Sequence, residues 1–236
     1  MHKICRIANQ KNIKIVEDTA EALGSCLEKK PLGTFGDSST FSFFGNKTIS
    51  TGEGGMVLFK NSKLAKKAKI LRDHGMNPNR KYWHDIVGFN YRMTNLQASI
   101  GVAQMERLNK ILVKKREIAE FYKKSLKNVP GIRLFPFESK KIKHSHWLYT
   151  VVLSNKIARD QVISELLECG IDTRPVFYPL HFMPPYEKHL RSNSLKVSEN
   201  ISLQGLSLPS SASLGKEELD FIVSNLKRVL TKQNKK

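Results

Sequence analysis

Apolar positions along the chain change period several times, and each change marks an element. Residues 3–10 put Ile4, Ile7 and Ala8 on one helical face. Ile13-Lys14-Ile15-Val16 is a short β-branched run that reads as a strand, and its end delivers two acids, Glu17 and Asp18. Asp18 can equally be the N-cap of a short helix over 19–23, closed by Gly24. Gly33-Thr34-Phe35-Gly36-Asp37 has the composition of a turn. Thr40-Phe41-Ser42-Phe43-Phe44 reads as a buried strand, Gly52-Glu53-Gly54-Gly55 as a tight turn, and Met56-Val57-Leu58-Phe59 as a further strand. Two strands joined so closely are expected to pair antiparallel.

Helical periodicity follows. Leu64, Ala65, Ala68 and Leu71 repeat at 3.6 residues, and Gly75 ends that run. Thr94 followed three residues later by Gln97 fits a capping box. It opens a long helical region to about Lys127, with Leu96, Ile100, Ala103, Leu108, Ile111, Ile118, Tyr122 and Leu126 as its buried stripe and a break near 108–109. Pro130-Gly131 ends it. A strand over 147–153, a helix over 159–169 closed by Gly170, and an extended stretch over 171–176 come next. Pro179, Pro184 and Pro185 mark an irregular loop, and Leu219, Ile222, Val223, Leu226 and Leu230 a final amphipathic helix. The pattern predicts an α/β chain in two parts, residues 1–107 and residues 108–236, the second being a bridging helix and a small α+β domain.

Composition narrows the classes. At 236 residues and 40% apolar content, the chain can bury a sizeable core. No run approaches the ~20 apolar residues of a membrane span, and Met1-His2-Lys3-Ile4-Cys5-Arg6 lacks the apolar core of a secretory signal. Cys5, Cys26 and Cys169 are odd in number and far apart, which suggests neither a disulfide framework nor a zinc site, so the cytoplasm is the default compartment. The net charge of +19 admits nucleic acid, an acidic membrane surface or a phosphorylated substrate. The lysines are scattered over the polar faces of predicted helices and read as a solvated surface. No nucleic-acid motif accompanies them, so neither nucleic acid nor a membrane is expected as partner. The tail, residues 232–236, is expected to fray.

Candidate chemistry lies early. An acid, Asp18, closes one apolar stretch. Lys47 follows another, with Ser42 before it and a glycine-rich turn after it. Pyridoxal 5′-phosphate (PLP) needs such a set: a lysine for covalent attachment, an acid for the pyridinium proton, and a small hydroxyl for the phosphate. Taken singly, Lys47 reads as a surface lysine and Asp18 as a helix cap.

The surrounding words change the balance. Val16-Glu17-Asp18-Thr19-Ala20-Glu21, Ser42-Phe43-Phe44-Gly45-Asn46-Lys47-Thr48, Gly52-Glu53-Gly54-Gly55 and Gly88-Phe89-Asn90-Tyr91-Arg92-Met93-Thr94 resemble segments of the DegT/StrS-type sugar aminotransferases, a branch of the fold-type I PLP enzymes. The resemblance runs from about residue 4 to 230. It implies that Lys47 carries the cofactor and shuttles a proton, that Asp18 faces the pyridine nitrogen, that Glu21 lies beside the ring, and that Ser42 binds the phosphate. It implies that Asn90 reaches the phosphate in a neighbouring subunit, hence a homodimer. Arg92 is a partner for an anionic group or a structural ion pair. Arg174, Tyr178 and His181, within Thr173-Arg174-Pro175-Val176-Phe177-Tyr178-Pro179-Leu180-His181, are implied substrate contacts; as isolated residues they read as packing or loop features.

By the same resemblance the reaction is amination of a nucleotide-linked 4-keto-6-deoxy sugar, GDP-linked by the wording of several blocks, with glutamate as donor and a surface polysaccharide or glycan as destination. A sister dehydratase carries histidine where Lys47 stands, so lysine favours aminotransfer. The family's large domain begins a hundred or more residues earlier than this chain, so residues 1–107 correspond to its C-terminal part, with an exposed sheet edge expected. The competing expectation is an inactive module that only pairs with a full-length relative.

Overall fold

A computed structural model describes residues 1–135, 139–189 and 195–233. In chain order the elements are α1 (His2–Gln10), β1 (Val16–Asp18), β2 (Cys26–Leu27), β3 (Lys30–Pro31), β4 (Ser38–Ser42), β5 (Gly55–Phe59), α2 (Ser62–Arg72), α3 (Asn95–Leu126), β6 (Ile132–Leu134), β7 (Ile142–Lys143), β8 (Tyr149–Leu153), α4 (Arg159–Leu167), β9 (Arg174–Pro175), α5 (Lys196–Gln204), β10 (Gly205–Leu208) and α6 (Lys216–Gln233). Short 3-10 turns lie at Leu180–Phe182 and Pro184–His189. The described residues form two compact units, one within Met1–Leu112 and Glu138–Ser145, the other within Val113–Phe137 and His146–Lys236. Among them, no helix is long and apolar enough to cross a membrane.

In the first unit β4 is the central strand. It pairs parallel with β1, Val16 opposite Ser38 and Asp18 opposite Thr40. It pairs antiparallel with β5, Ser42 opposite Gly55 and Ser38 opposite Phe59, as the glycine turn predicts. The strand expected over 13–16 starts later, because the backbone of Ile15 is already engaged: its amide donates to Asp37 Oδ2 at 2.9 Å and its carbonyl accepts from Asp37 N at 2.8 Å. No helix forms over 19–23. The segment makes bonds three residues apart, Ala22 N to Thr19 O and Ser25 N to Ala22 O, and is too short to recover the cost of nucleating a helix. A second small sheet, β3-β2-β7, includes a strand from beyond α3, and the Ser25 and Ser145 hydroxyls join at 3.0 Å beside it. Much apolar surface stays open: Ile4 and Ile7 of α1 are exposed, as are Met56, Val57 and Leu58 of β5. Successive strand residues face opposite ways, so β5 is open on both faces.

α3 begins with the predicted capping box, Gln97 N donating to Thr94 Oγ1 at 3.2 Å and Thr94 N to Gln97 Oε1 at 3.0 Å. It then runs unbroken for 32 residues, without the break expected near 108–109. Its stripe divides: Leu96 and Ile100 are exposed, whereas Ile118, Tyr122 and Leu126 are buried.

The second unit has the larger core. Its antiparallel sheet has the order β6-β8-β10-β9, and Tyr149, Val151, Leu153, Leu206 and Leu208 pack there with Val162 and Leu166 of α4 and Leu226 and Leu230 of α6. Two polar side chains of α3 tie this core. Tyr122 Oη donates to Pro209 O at 2.7 Å. Lys115 Nζ donates to the carbonyls of His146, Trp147 and Ser210 at 3.2, 3.0 and 2.9 Å. Burial pushes the Lys115 ammonium down to about 8. Of the tail expected to fray, Lys232 and Gln233 belong to α6 and bond to Glu165, while 234–236 lie outside the described residues.

Candidate active site

Strand alternation separates the two acids of β1. Glu17 is buried and accepts three backbone amides, Gly33 N at 2.9 Å and Phe35 N and Gly36 N at 2.6 Å each. A side chain at Gly36 would come within 2.8 Å of Ile15 O, so this approach requires glycine. Asp37 closes the same turn; the Ile15 amide, with Lys14 and Lys60 beside it, holds its carboxyl below the usual range. In the sequence Glu17 is one of two acids at a strand end, with no role of its own assigned by the neighbouring residues. The signal was available in an acid on the inward register of a strand, ahead of a glycine-rich turn.

Asp18 points the other way and is exposed. Its Oδ1 accepts from Ala20 N at 3.1 Å and from Thr40 Oγ1 at 3.3 Å, so the cap-like bond exists without a helix. Those bonds leave Oδ2 available to a ligand. Ser42 ends β4 on the sheet that β1 also ends, and its Oγ accepts from Phe44 N at 3.3 Å, which leaves the hydroxyl proton to donate elsewhere. Lys47 lies in the connection from β4 to β5. That connection is held by Lys47 N to Phe44 O, Thr51 N to Phe43 O and Phe43 N to Gly54 O at 3.0, 2.9 and 2.9 Å. The Lys47 side chain is only 14% exposed, and its Nζ lies 3.3 Å from Glu21 Oε1. Asp18, Glu21, Ser42 and Lys47 thus stand on the ends of a parallel strand pair and the turns that follow them.

The end of the run 88–94 and the first turns of α3 pack on this hairpin. Gln97 Nε2 donates to Glu53 O at 3.3 Å. A Cβ built on Gly54 would meet Met93 Cε at 2.8 Å, and one on Gly101 would meet Thr51 Cγ2 at 3.1 Å. Asn90 is exposed and bridges to Asp73 through the backbone. Arg92 pairs with Asp73 at 3.4 Å, as a structural ion pair.

The other three candidates belong to the second unit. Arg174 on β9 and Tyr178 are exposed. His181 is largely covered, with Nε2 3.1 Å from Glu199 Oε1 and its ring edge-on to Phe182 at 4.7 Å. Glu199 had no place in the sequence reading, because α5 was not anticipated.

Comparison with known proteins bears on this arrangement. The chain is 44% identical to the GDP-perosamine synthase of Caulobacter vibrioides, over 98% of this chain and 62% of that protein. It is 40% identical to the GDP-perosamine synthase of Escherichia coli O157:H7, over 96% of this chain and 61% of that one. Among solved structures, aminotransferase TlmJ from Streptoalloteichus hindustanus superposes with a TM-score of 0.90 at 28% identity, covering 98% of this chain and 62% of that one. Helicobacter pylori PseC, an aminotransferase of pseudoaminic acid biosynthesis, gives 0.91 at 26%, covering 98% and 63%. The chain therefore spans about three-fifths of the length of these relatives, and the expected α/β fold of the fold-type I aminotransferases is borne out. With the model of the DegT/DnrJ/EryC1/StrS aminotransferase family matching residues 1–227, the chain belongs to that family.

Proposed function

We propose that this chain supplies the lysine-bearing part of a PLP-dependent aminotransferase that moves an amino group from glutamate to a GDP-linked 4-keto-6-deoxy sugar. The observation that carries the reading is the sheltered Lys47 amine paired with an exposed Glu21, on the turns that follow β1 and β4, whose ends carry Asp18 and Ser42. The donor set fits the cofactor: a carboxylate oxygen of Asp18 open to a ring N–H, a Ser42 hydroxyl with its proton to give a phosphate, and a sheltered amine.

When bound, PLP would supply an electron sink at the amino-bearing carbon. The chain's own residues do the rest. Asp18 holds the proton on the ring nitrogen. Ser42 donates to a phosphate oxygen. Lys47 Nζ would hold the cofactor and would carry the proton at the reacting carbon, with Glu21 Oε1, 3.3 Å away, positioning it. Asn90 faces the cofactor phosphate of a neighbouring subunit, so two chains build each site. Arg174, Tyr178 and His181 contact the substrate. The cytoplasm is the compartment, and a surface polysaccharide the destination. The family membership and the match to two GDP-perosamine synthases support catalysis over an inert interaction module.

The deciding test is borohydride reduction of the purified chain with added PLP, followed by peptide mapping. A label on Lys47 that disappears in Lys47→Ala supports the assignment. A label of equal yield in Lys47→Ala removes it.

A further inference from the structure

Resting on the PLP reading above, we propose that Thr40 is the positioning residue for Asp18. Its hydroxyl fixes the rotation of the carboxylate, and its carbonyl fixes the point at which the chain turns away from β1.

Register places the two residues together. β1 and β4 run parallel, with Asp18 directly opposite Thr40 and Glu17 opposite Ser39. Side chains alternate along each strand, so Thr40 and Ser42 leave β4 on one face and Ser39 on the other. Glu17 and Ser39 are buried, while Asp18 is exposed and Thr40 and Ser42 are half-buried. Thr40 Oγ1 donates to Asp18 Oδ1 at 3.3 Å, which puts the acid on the face that Thr40 shares with Ser42. Thr40 thus stands beside the residue proposed for the ring nitrogen and two positions before the one proposed for the phosphate.

The hydroxyl and the carbonyl of Thr40 have separate tasks. The hydroxyl shares Asp18 Oδ1 with the Ala20 amide, which donates to it at 3.1 Å. One donor comes from the neighbouring strand and one from the turn, and together they hold a carboxylate torsion that is otherwise soft. The Thr40 carbonyl accepts from Thr19 twice, from the amide at 3.0 Å and from the hydroxyl at 2.5 Å. Thr19 is buried, and its own carbonyl accepts from Ala22 N at 3.0 Å, so the turn that carries Glu21 starts against Thr40. Valine has the same branched shape and a similar preference for strands, so what threonine adds is the hydroxyl, whose partner is Asp18. That bond is exposed and contributes little to stability. Its consequence falls on the direction of the acid. A charge-assisted hydrogen bond depends on geometry as well as distance, so a carboxylate free to rotate binds a ring N–H less well.

PLP titration of the full chain, read by visible absorbance and by borohydride label on Lys47, tests this role. Thr40→Val should raise the dissociation constant for PLP about tenfold, the loss expected for one hydrogen bond to a charged group, with the urea midpoint unchanged. Thr40→Ser keeps the hydroxyl and should bind PLP as the wild type does. An unchanged constant in Thr40→Val would overturn the proposal. So would a constant raised equally in Thr40→Ser, which would place the effect in the packing of the methyl group. A urea midpoint that falls in step with binding would make Thr40 a support of the sheet alone, and would also overturn it. A wild-type chain that takes no label on Lys47 refutes the PLP reading and this role with it. A labelled wild type whose constant Thr40→Val leaves unchanged refutes the role of Thr40 alone.

Discussion

Glu17 and Asp18 are neighbours on β1 with opposite surroundings. Glu17 is buried beneath the amides of Gly33, Phe35 and Gly36, while Asp18 is exposed at the end of β1 and accepts two bonds at Oδ1.

Their substitutions should separate stability from cofactor binding. Glu17→Ala strands three amides that now share a charged acceptor, and should cost about 3 kcal/mol or more in urea unfolding. Asp18→Ala should change stability by less than about 1 kcal/mol and abolish PLP retention, read by visible absorbance after gel filtration. Equal stability losses in the two variants would contradict the division of roles.

Lys115 sets a pH dependence of unusual sign. Its ammonium titrates near 8 when folded against 10.5 for an ordinary lysine, because burial penalises the charge. Between these values the unfolded chain binds the proton and the folded chain does not, so folding becomes more favourable as pH rises. The contribution is complete above about 10.5 and gone below about 8. Its ceiling is about 3 kcal/mol. Lys115→Met should lack the rise, so the stability difference between wild type and variant should grow in favour of wild type across that window. A flat difference would show that the three carbonyl bonds keep the ammonium charged throughout.

Tyr122→Phe removes the donor to Pro209 O from a fully buried position and leaves that carbonyl unpaired. A loss of about 1–3 kcal/mol is expected in thermal or urea unfolding of the second unit. No measurable change would mean that another donor replaces the phenol.

Gly75→Ala places a methyl group against the Ile86 carbonyl at a residue with φ of +71°. The loop between α2 and α3 should open, shifting Trp83 emission to the red. Unchanged emission would show that the loop does not depend on the close approach of Gly75 and Gly88.

Where local chemistry decides a feature, it was legible. Thr94 and Gln97 form their capping box, the glycine turn folds β4 and β5 into an antiparallel pair, and the 3.6-residue stripe of α6 is buried from Leu219 to Leu230. Where partners lie far along the chain, it was not. β10 has four buried residues and exists by pairing with β8 and β9, so its own sequence contains little signal. The apolar stripe of α3 predicted uniform burial, yet Leu96 and Ile100 are exposed, because periodicity describes a face and not what covers it.

The sequence by itself determined the family and the candidate chemistry. Asp18, Ser42 and Lys47 stand in short words whose spacing along strand ends and turns is a local property. Only the tertiary structure decided the pairings. It put Glu21 against Lys47, Asp73 against Arg92 and Glu199 against His181, and brought the Ser210 carbonyl to Lys115 across 95 residues. Such contacts depend on the whole core closing and on each charge finding compensation as water is excluded, and no local pattern of residue types encodes them.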